Sequence, residues 1–175
     1  WRCPECGSTE VRSGIVGATT TAAELGRAFP DVPVVDSSGN HVRERVDSTP
    51  RLIVATPGAE PTPESGYACA VILDAVSSLS RPGLAAVEQT VDRWMAILAL
   101  VRSVRDGGRA VIVGPSEDAA LQAMVRNDPV GWATRELADR REARFPPAVP
   151  CGIVDGDPKP VASAAQRLRE WFGND

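Results

Sequence analysis

The sequence predicts an α/β fold in which a mainly parallel sheet is flanked by helices. Two continuous apolar runs, at residues 68–73 and 110–114, each have the length and composition of a buried strand. A helical pattern runs between them from Leu84 to about Arg105. Strands that are apolar at every position and joined through a helix are typical of a parallel sheet buried on both faces. Functional groups are then expected at the carboxyl ends of these strands.

The helix between the two runs is predicted from its period. Its apolar residues recur three and four positions apart, which places them on one face of a helix. Gly107 and Gly108 follow and stop the helix. The predicted inward face consists of Leu84, Val87, Val91, Trp94, Leu98 and Val101.

The other elements follow from apolar runs and helix breakers. Pro30 ends a short helix that one of three consecutive threonines (residues 19–21) is placed to cap. Trp132, Ala133 and Leu137 are expected to face inward from a later helix. The predicted elements are helices within residues 17–30, 116–127, 129–142 and 160–172, strands at 32–36 and 51–56, and a proline-rich loop at 59–66.

Composition limits the class of protein. The 175 residues are enough for one compact α/β domain with small appendages. The formal net charge of −4 argues against a dedicated nucleic-acid-binding domain, which usually has a basic excess. No apolar stretch approaches the roughly 18 residues of a membrane span, and no charged-then-apolar leader opens the chain, so we expect a cytoplasmic protein without a membrane partner. Because the chain begins at Trp1, inside a cysteine motif, we also expect a fragment or a processed form.

That cysteine motif, CPECG, carries the most specific chemistry in the sequence. Cys3 and Cys6 are spaced so that two thiolates reach one Zn²⁺, and the glycine that follows permits the tight turn. Cys3 and Cys6 are therefore the predicted metal ligands. A redox role is weakly supported, because no thioredoxin-like βαβ pattern surrounds the pair.

Tetrahedral zinc needs four ligands, and the sequence does not supply an evident second pair. Cys69 falls in a predicted strand, and Cys151 and His41 are isolated. Either the missing pair precedes Trp1 or the knuckle is vestigial. Because CPxCGS is typical of zinc ribbons, we favour half of a zinc ribbon at the N-terminus.

The sequence contains no other signature of catalysis. It has neither a GxxxxGK[ST] phosphate loop nor a GxGxxG turn, so an autonomous nucleotide site is unsupported. His41 has no cysteine or serine partner at a recognisable spacing. Ser77, Ser78 and Ser80 follow Asp74 at a strand end, but no GxSxG context supports a nucleophile. We therefore predict no catalytic residue.

The order of the segments is more specific than any one of them. After CPxCG come xxELxxxFP, a valine-rich strand that ends in Asp36, and then LIVAT, VILDA, LxxPxLxAxE, GRAVIV and a helix that leads into RFPP. From Cys3 to Pro147 this order resembles the replication-restart primosomal helicase family (PriA, primosomal protein N′), in the degenerate form seen in high-GC bacteria. The matching part looks like the second, RecA-like helicase lobe of that family.

The resemblance implies a domain organisation and a shared metal site. Residues 1–13 would end the family's zinc-binding insertion, residues 14–147 would form the second helicase-like lobe, and residues 148–175 would be a linker and the start of a C-terminal domain. Cys3 and Cys6 would be the last CxxC pair of the insertion. Their zinc would then be shared with cysteines upstream of this chain.

Several positions that contact nucleotide or nucleic acid in the family are replaced here. Where active members read GTE, this chain has residues 17–19, Gly-Ala-Thr. Where they read GTQM and then KG, it has residues 55–58, Ala-Thr-Pro-Gly, followed by Glu60 and Pro61. Val76 replaces the second acid of the family's DAD, whose first acid is Asp74.

The largest departure falls at the family's QVAGRAGR, whose arginines reach the γ-phosphate as fingers. The corresponding stretch, residues 95–106, reads MAILALVRSVRD and lacks GRxGR. Arg102 and Arg105 are out of register with the fingers. Since an arginine finger contributes on the order of 10³-fold or more to phosphoryl transfer, this loss implies an inactive motor.

The resemblance therefore implies a part of a replication-restart protein that binds branched DNA and recruits primosome and replication proteins. In that hypothesis ATP binds, if at all, only to the full-length protein, and this lobe is a scaffold. A working ATP-dependent 3′-5′ DNA helicase that uses Arg102, Arg105 or Arg109 as displaced fingers is one alternative. A stand-alone zinc-ribbon interaction module is the other.

Overall fold

Helices and short strands alternate along the chain in the computed structural model, which describes residues 2–9 and 17–172. The strands are β1 (Val34–Ser37), β2 (Arg45–Val46), β3 (Leu52–Ala55), β4 (Thr62–Pro63), β5 (Cys69–Ile72) and β6 (Arg109–Ile112). The helices are α1 (Ala18–Ala28), α2 (Ala75–Leu79), α3 (Ala86–Ala99), α4 (Ala119–Arg126), α5 (Pro129–Glu142) and α6 (Pro158–Phe172), with 3-10 turns at Gly39–His41 and Val104–Asp106. No helix in the described ranges is long and apolar enough to cross a membrane.

The strands pair in parallel, as the sequence predicts. β1 pairs with β3, β2 with β4, and β5 with β6, so that each sheet among the described residues has two strands. In the β5–β6 pair, Cys69 lies opposite Arg109 and Ile72 lies opposite Ile112. The α/β class is therefore confirmed. Strands β2 and β4 and helix α2 were not predicted, because elements of two to five residues are too short to show a period.

The expectation that the central strands are buried on both faces is wrong. The burial of β5 alternates along the strand, and most of β6 is exposed. Val71 remains 53% exposed and Val111 48% exposed, although the two residues are opposite each other in the register. Within the described residues, this parallel pair has packing on one face only.

The helix predicted to reach about Arg105 ends at Ala99, because the chain turns back to pair with Tyr67. The N–H of Tyr67 donates to the carbonyl of Leu100 at 2.8 Å, and the N–H of Arg102 donates to the carbonyl of Tyr67 at 2.9 Å. These two bonds place Val101 beside Tyr67 as a parallel bridge. Their geometry is incompatible with a continued helix, in which the same groups would bond four residues away.

Aspartates rather than hydroxyl side chains begin three of the helices. Asp74 accepts a hydrogen bond from the N–H of Ser77 at 3.2 Å at the start of α2. Asp118 Oδ1 accepts from the N–H of Ala120 at 2.8 Å directly before α4. Asp128 caps α5 in the same way. Each carboxylate pairs with one of the free N–H groups of a first helical turn.

The chain divides into two compact units, Trp1–Met124 and Val125–Asp175, and the division falls inside the lobe predicted at residues 14–147. The predicted boundary between residues 13 and 14 lies outside the described residues. The core of the first unit includes Val91 and Trp94 of α3, as predicted, whereas Leu84 is exposed. The buried aromatic residue of the second unit is Trp132.

Two of the three residues expected to face inward from α5 do not. Trp132 is buried at 7% exposure, as predicted. Ala133 is exposed and Leu137 is 38% exposed. Both line a shallow apolar depression on the surface of α5 together with Val130. A helical stripe identifies which residues share a face, but it does not show that another element covers that face.

We predict that Gly108→Ala destabilises the first unit. A Cβ at Gly108, which is buried, would lie 1.8 Å from the carbonyl oxygen of Arg102, so the backbone must shift. We expect a loss of about 1–3 kcal/mol in the free energy of unfolding, as for other overpacked sites. Urea denaturation monitored by circular dichroism measures the change.

The matched control is Gly26→Ala in α1, where a Cβ meets no atom within 4 Å. Alanine is the better helix former by about 1 kcal/mol, so this variant should be equally or more stable. Equal stability of Gly108→Ala and the native chain would contradict the close approach at Arg102.

Candidate functional site

The cysteine motif folds as a tight turn that brings its two thiols to one side. The N–H of Gly7 donates to the carbonyl of Cys3 at 2.9 Å, and the N–H of Cys3 donates to the carbonyl of Ser8 at 2.9 Å. Gly7 has a φ of +68°, a conformation that glycine adopts without strain. The turn therefore requires a residue that adopts a positive φ at position 7, and glycine meets this requirement.

Hydrogen bonds within the turn favour the thiolate of Cys3. The backbone N–H groups of Cys6 and then Glu5, together with the thiol of Cys6, lower the pKa of Cys3 below its ordinary value. Thiolates are the form in which cysteines bind zinc. Cys3 is partly exposed and Cys6 is exposed, so both sulfurs are accessible.

These two residues fit half of a zinc site. Among residues 2–9 and 17–172, no group of three or more histidines, cysteines or acidic residues is close enough to hold a metal. Cys69 and Cys151 are exposed free thiols, and neither joins the pair. A tetrahedral site would therefore need two ligands from another source.

A polar cluster lies at the carboxyl end of β1, the edge at which α/β proteins place their functional groups. Thr19 Oγ1 donates to Asp36 Oδ2 at 2.8 Å, and Ser38 Oγ donates to Asp36 Oδ1 at 2.6 Å. The hydroxyl of Ser38, then that of Thr19, and the nearby charge of His41 lower the pKa of Asp36. The carboxylate therefore stays ionised and holds the start of α1 against β1.

Sequence reasoning identified Asp36 as a strand end but missed its two hydroxyl partners. Thr19 was considered as a helix cap, whereas the N-cap of α1 is Gly17, and no side chain caps it. Ser38, two residues after Asp36, was also not predicted as its partner. His41 lies in a 3-10 turn near this cluster, where it acts on Asp36 through charge alone.

The loop after β3, where active family members have GTQM, is closed on itself. Glu60 is the residue that closes it, because both of its carboxylate oxygens lie within 3.1 Å of the N–H of Gly58. The N–H of Ala59 bonds the carbonyl of Thr56, and the hydroxyl of buried Ser37 bonds the carbonyl of Ala59 at 2.7 Å. The carboxylate of Glu60 accepts the hydrogen bond of the Gly58 N–H, so this N–H is not available to bind an anion.

The three candidate arginines differ in what they do. Arg102 Nε donates to the carbonyls of Ser65 and Gly66 at 3.1 and 3.0 Å, so this side chain connects the segment after α3 to the loop before β5. The side chains of Arg105 and Arg109 are exposed and make no hydrogen bond or ion pair within the described residues. Arg102 is thus a structural residue.

All three arginines lie at the amino end of the β5–β6 sheet. Arg109 is opposite Cys69 in the first pair of the register, and Arg102 and Arg105 precede it in the chain. Asp74 follows β5 at the carboxyl end. A strand of four residues spans about 10 Å, so the arginines lie near the amino ends of these strands and Asp74 near the carboxyl ends.

Comparison with known proteins identifies close relatives. The probable replication restart protein PriA of Mycobacterium tuberculosis is 44% identical to this chain over 168 residues, and those of Mycobacterium bovis and Mycobacterium leprae match to the same extent. The match covers 96% of this chain and 26% of each relative. The resemblance to the primosomal protein N′ family is therefore confirmed, and the chain spans about a quarter of the length of the curated relatives that it matches. No protein-family model matches the chain.

We predict that the pKa of Asp36 depends on its two hydroxyl partners. Ser38→Ala and Thr19→Val should each raise it toward the value of about 3.9 for a free aspartate, with the larger effect from Ser38. An NMR titration of the side-chain carboxyl carbon measures both.

Because the folded pKa is lowered, the stabilisation by Asp36 is present above the unfolded pKa and is lost as the pH falls through the folded pKa. Thr20→Val, next to Thr19 on α1 and exposed, is the control and should leave the titration unchanged. A titration midpoint at or above 3.9 in the native chain would contradict the hydrogen-bonded geometry.

Proposed function

We propose that this chain, as a relative of the mycobacterial replication restart proteins, is the end of the zinc-binding insertion and the second, RecA-like helicase lobe of a replication-restart protein. The full-length protein binds branched DNA and helps to reload the replication machinery. This lobe serves as a scaffold and does not contribute to ATP hydrolysis. Support comes from the 44% identity over nearly the whole chain and from the parallel strands joined through helices.

The positions of the arginines carry the proposal of inactivity. An arginine finger stabilises the charge that develops on the γ-phosphate. Open α/β sheets bind their ligands at the carboxyl ends of the strands. Here Arg102 is bonded to the carbonyls of Ser65 and Gly66, and Arg105 and Arg109 lie at the amino edge of the sheet. In this proposal none of the three acts as a displaced finger.

The acidic residues at the carboxyl ends of the strands also stabilise local structure. Asp74 caps α2, and Glu60 closes the loop after β3. Val76, which replaces the second acid of the family motif, is 56% exposed and offers no ligand for Mg²⁺. The side chains that remain at this edge stabilise local structure, which is consistent with a retained scaffold.

The zinc site is the second part of the proposal. Cys3 and Cys6 supply two of the four ligands of a Zn²⁺, and two cysteines from elsewhere in the full-length polypeptide supply the other two. The metal has a structural role, because a site closed by four cysteines leaves no open position for substrate. The preorganised turn and the lowered pKa of Cys3 support this assignment.

We predict that the full-length protein has no DNA-stimulated ATPase activity above background and that Arg105→Ala leaves this unchanged. Arg102→Ala should instead lower the free energy of unfolding of this chain by about 1 kcal/mol, because its side-chain hydrogen bonds are lost. Arg105→Ala is the matched control for stability and should have no effect. ATP hydrolysis with forked DNA and urea denaturation measure the two quantities.

Turnover that requires forked DNA and falls tenfold or more in Arg105→Ala would contradict the proposal and favour the active 3′-5′ helicase. Turnover that is unaffected by Arg102→Ala, Arg105→Ala and Arg109→Ala would place the motor elsewhere in the protein. In that case the lobe remains a scaffold, but the full-length protein is an ATPase.

We predict that this chain alone binds zinc at least 100-fold more weakly than the full-length protein. Two thiolates provide half of the ligands of a structural site, so the remaining positions are filled by water or by a second chain. Co²⁺ substitution monitored by its thiolate charge-transfer absorption measures both affinities. Cys3→Ser and Cys6→Ser should each remove the signal.

Cys69→Ser and Cys151→Ser are the control variants and should leave the Co²⁺ signal unchanged, because neither thiol forms a group of metal ligands with the turn among the described residues. Tight binding of one metal per isolated chain would favour the stand-alone zinc-ribbon module instead.

A further inference from the structure

The two thiols of the CPECG turn lie close enough to react with each other. The thiol of Cys6 hydrogen-bonds to the sulfur of Cys3, so the two sulfur atoms are neighbours. The backbone holds them there, because the N–H of Gly7 donates to the carbonyl of Cys3 at 2.9 Å and closes the turn around both residues. A hydrogen-bonded turn brings Cα atoms three residues apart to within about 7 Å, the upper limit for a disulfide.

A disulfide and a metal ion place different demands on these sulfur atoms. Two thiolates on one tetrahedral Zn²⁺ are about 3.8 Å apart, as follows from Zn–S bonds of about 2.3 Å. The sulfur atoms of a disulfide are about 2.0 Å apart, and neither of them is a thiolate. Sulfur atoms in hydrogen-bond contact lie near the first separation and need only a short movement to reach the second. A disulfide within the turn therefore removes both metal ligands.

The other two cysteines lack such a neighbour. Cys69 lies in β5, and Cys151 lies in the other compact unit. Both are free thiols, and neither has another cysteine nearby in the sequence. A small disulfide that reacts with an isolated thiol stays attached to it, because no second thiol of the same turn displaces it. The pair at Cys3 and Cys6 is the arrangement suited to an internal disulfide.

We propose that the CPECG turn is a redox-sensitive switch, in which a disulfide between Cys3 and Cys6 forms in the metal-free turn and blocks the uptake of zinc. The consequence for zinc rests on the proposed function, whereas the disulfide itself needs no metal. The role is regulatory, so it does not require the βαβ context of a thioredoxin-like catalytic site.

The oxidant is a small disulfide, here oxidised glutathione, and the exchange has two steps. The Cys3 thiolate attacks one sulfur of the oxidant, whose S–S bond breaks and releases one glutathione thiolate. The Cys6 thiolate then attacks the Cys3 sulfur and releases the second glutathione, and this step is favoured because it is intramolecular. Two protein thiols are oxidised, the oxidised glutathione is reduced to two thiols, and the two protons of the cysteines pass to them. An excess of reduced glutathione reverses both steps.

The test uses this chain with Cys69→Ser and Cys151→Ser, so that Cys3 and Cys6 are its only cysteines. The metal-free variant is incubated with excess oxidised glutathione, and the products are identified by intact mass and peptide mapping. We expect the loss of two hydrogen atoms with no glutathione attached, and dithiothreitol should reverse it. The thiolate absorption of added Co²⁺ should fall tenfold or more after oxidation and return after reduction.

Cys6→Ser in the same background is the matched control. It should keep one glutathione on Cys3, because no thiol remains to displace it. The inference is overturned if the chain with both cysteines also keeps glutathione, or if it stays reduced under conditions that modify the control. It is also overturned if Co²⁺ binds equally well after the disulfide has formed.

The two proposals for this turn fail in different ways. A Co²⁺ signal from the reduced chain, without an internal disulfide after oxidation, would overturn the switch and leave the zinc half-site standing. An internal disulfide in a chain that gives no Co²⁺ signal even when reduced would support the disulfide and overturn the zinc half-site.

Discussion

The exchange of backbone hydrogen bonds between Tyr67 and the segment after α3 is the constraint on which the β5–β6 unit depends. Tyr67 bonds Leu100 and Arg102 through its main chain, and its hydroxyl donates to the carbonyl of buried Pro61 at 2.5 Å. Burial, with the nearby charge of Glu60, raises the pKa of Tyr67, so the hydroxyl remains a donor. The exchange ends α3 and directs the chain into β6. It also explains why Gly108, packed against the carbonyl of Arg102, has no room for a side chain.

The same hydrogen bonds involve the stretch at which the resembled family has its arginine fingers. The stretch that corresponds to the arginine fingers is the stretch that leaves α3 to pair with Tyr67, and Arg102 within it bonds the loop at Ser65 and Gly66. Both of these hydrogen bonds use the Nε–H of Arg102. We propose that the same region now stabilises the fold instead of contacting a nucleotide.

Sequence reasoning succeeded where a repeated pattern determined the structure. Helix α5 was predicted from Pro129 to about Glu142 and has these bounds. The parallel pairing of β5 with β6 followed from two apolar runs joined by a helix. The end of α3 was missed, because apolar residues at Leu98 and Val101 continue the helical period even though long-range bonds to Tyr67 override it. Thr19 was missed as a partner of Asp36 for the same reason. A hydrogen bond between residues 17 positions apart leaves no trace in local spacing.

The false expectation that β5 and β6 are buried on both faces is more informative than the correct ones. Four aliphatic residues in register have the composition of a strand pair at the centre of an α/β sheet, yet they remain about half exposed. Burying such side chains lowers the free energy by about 25 cal/mol for each Å² of apolar surface removed from water. Val71, Leu73, Val111 and Val113 are therefore suited to a buried environment. Cys3 and Cys6 lie in a turn with the spacing of two zinc ligands. We propose that two further cysteines complete that site.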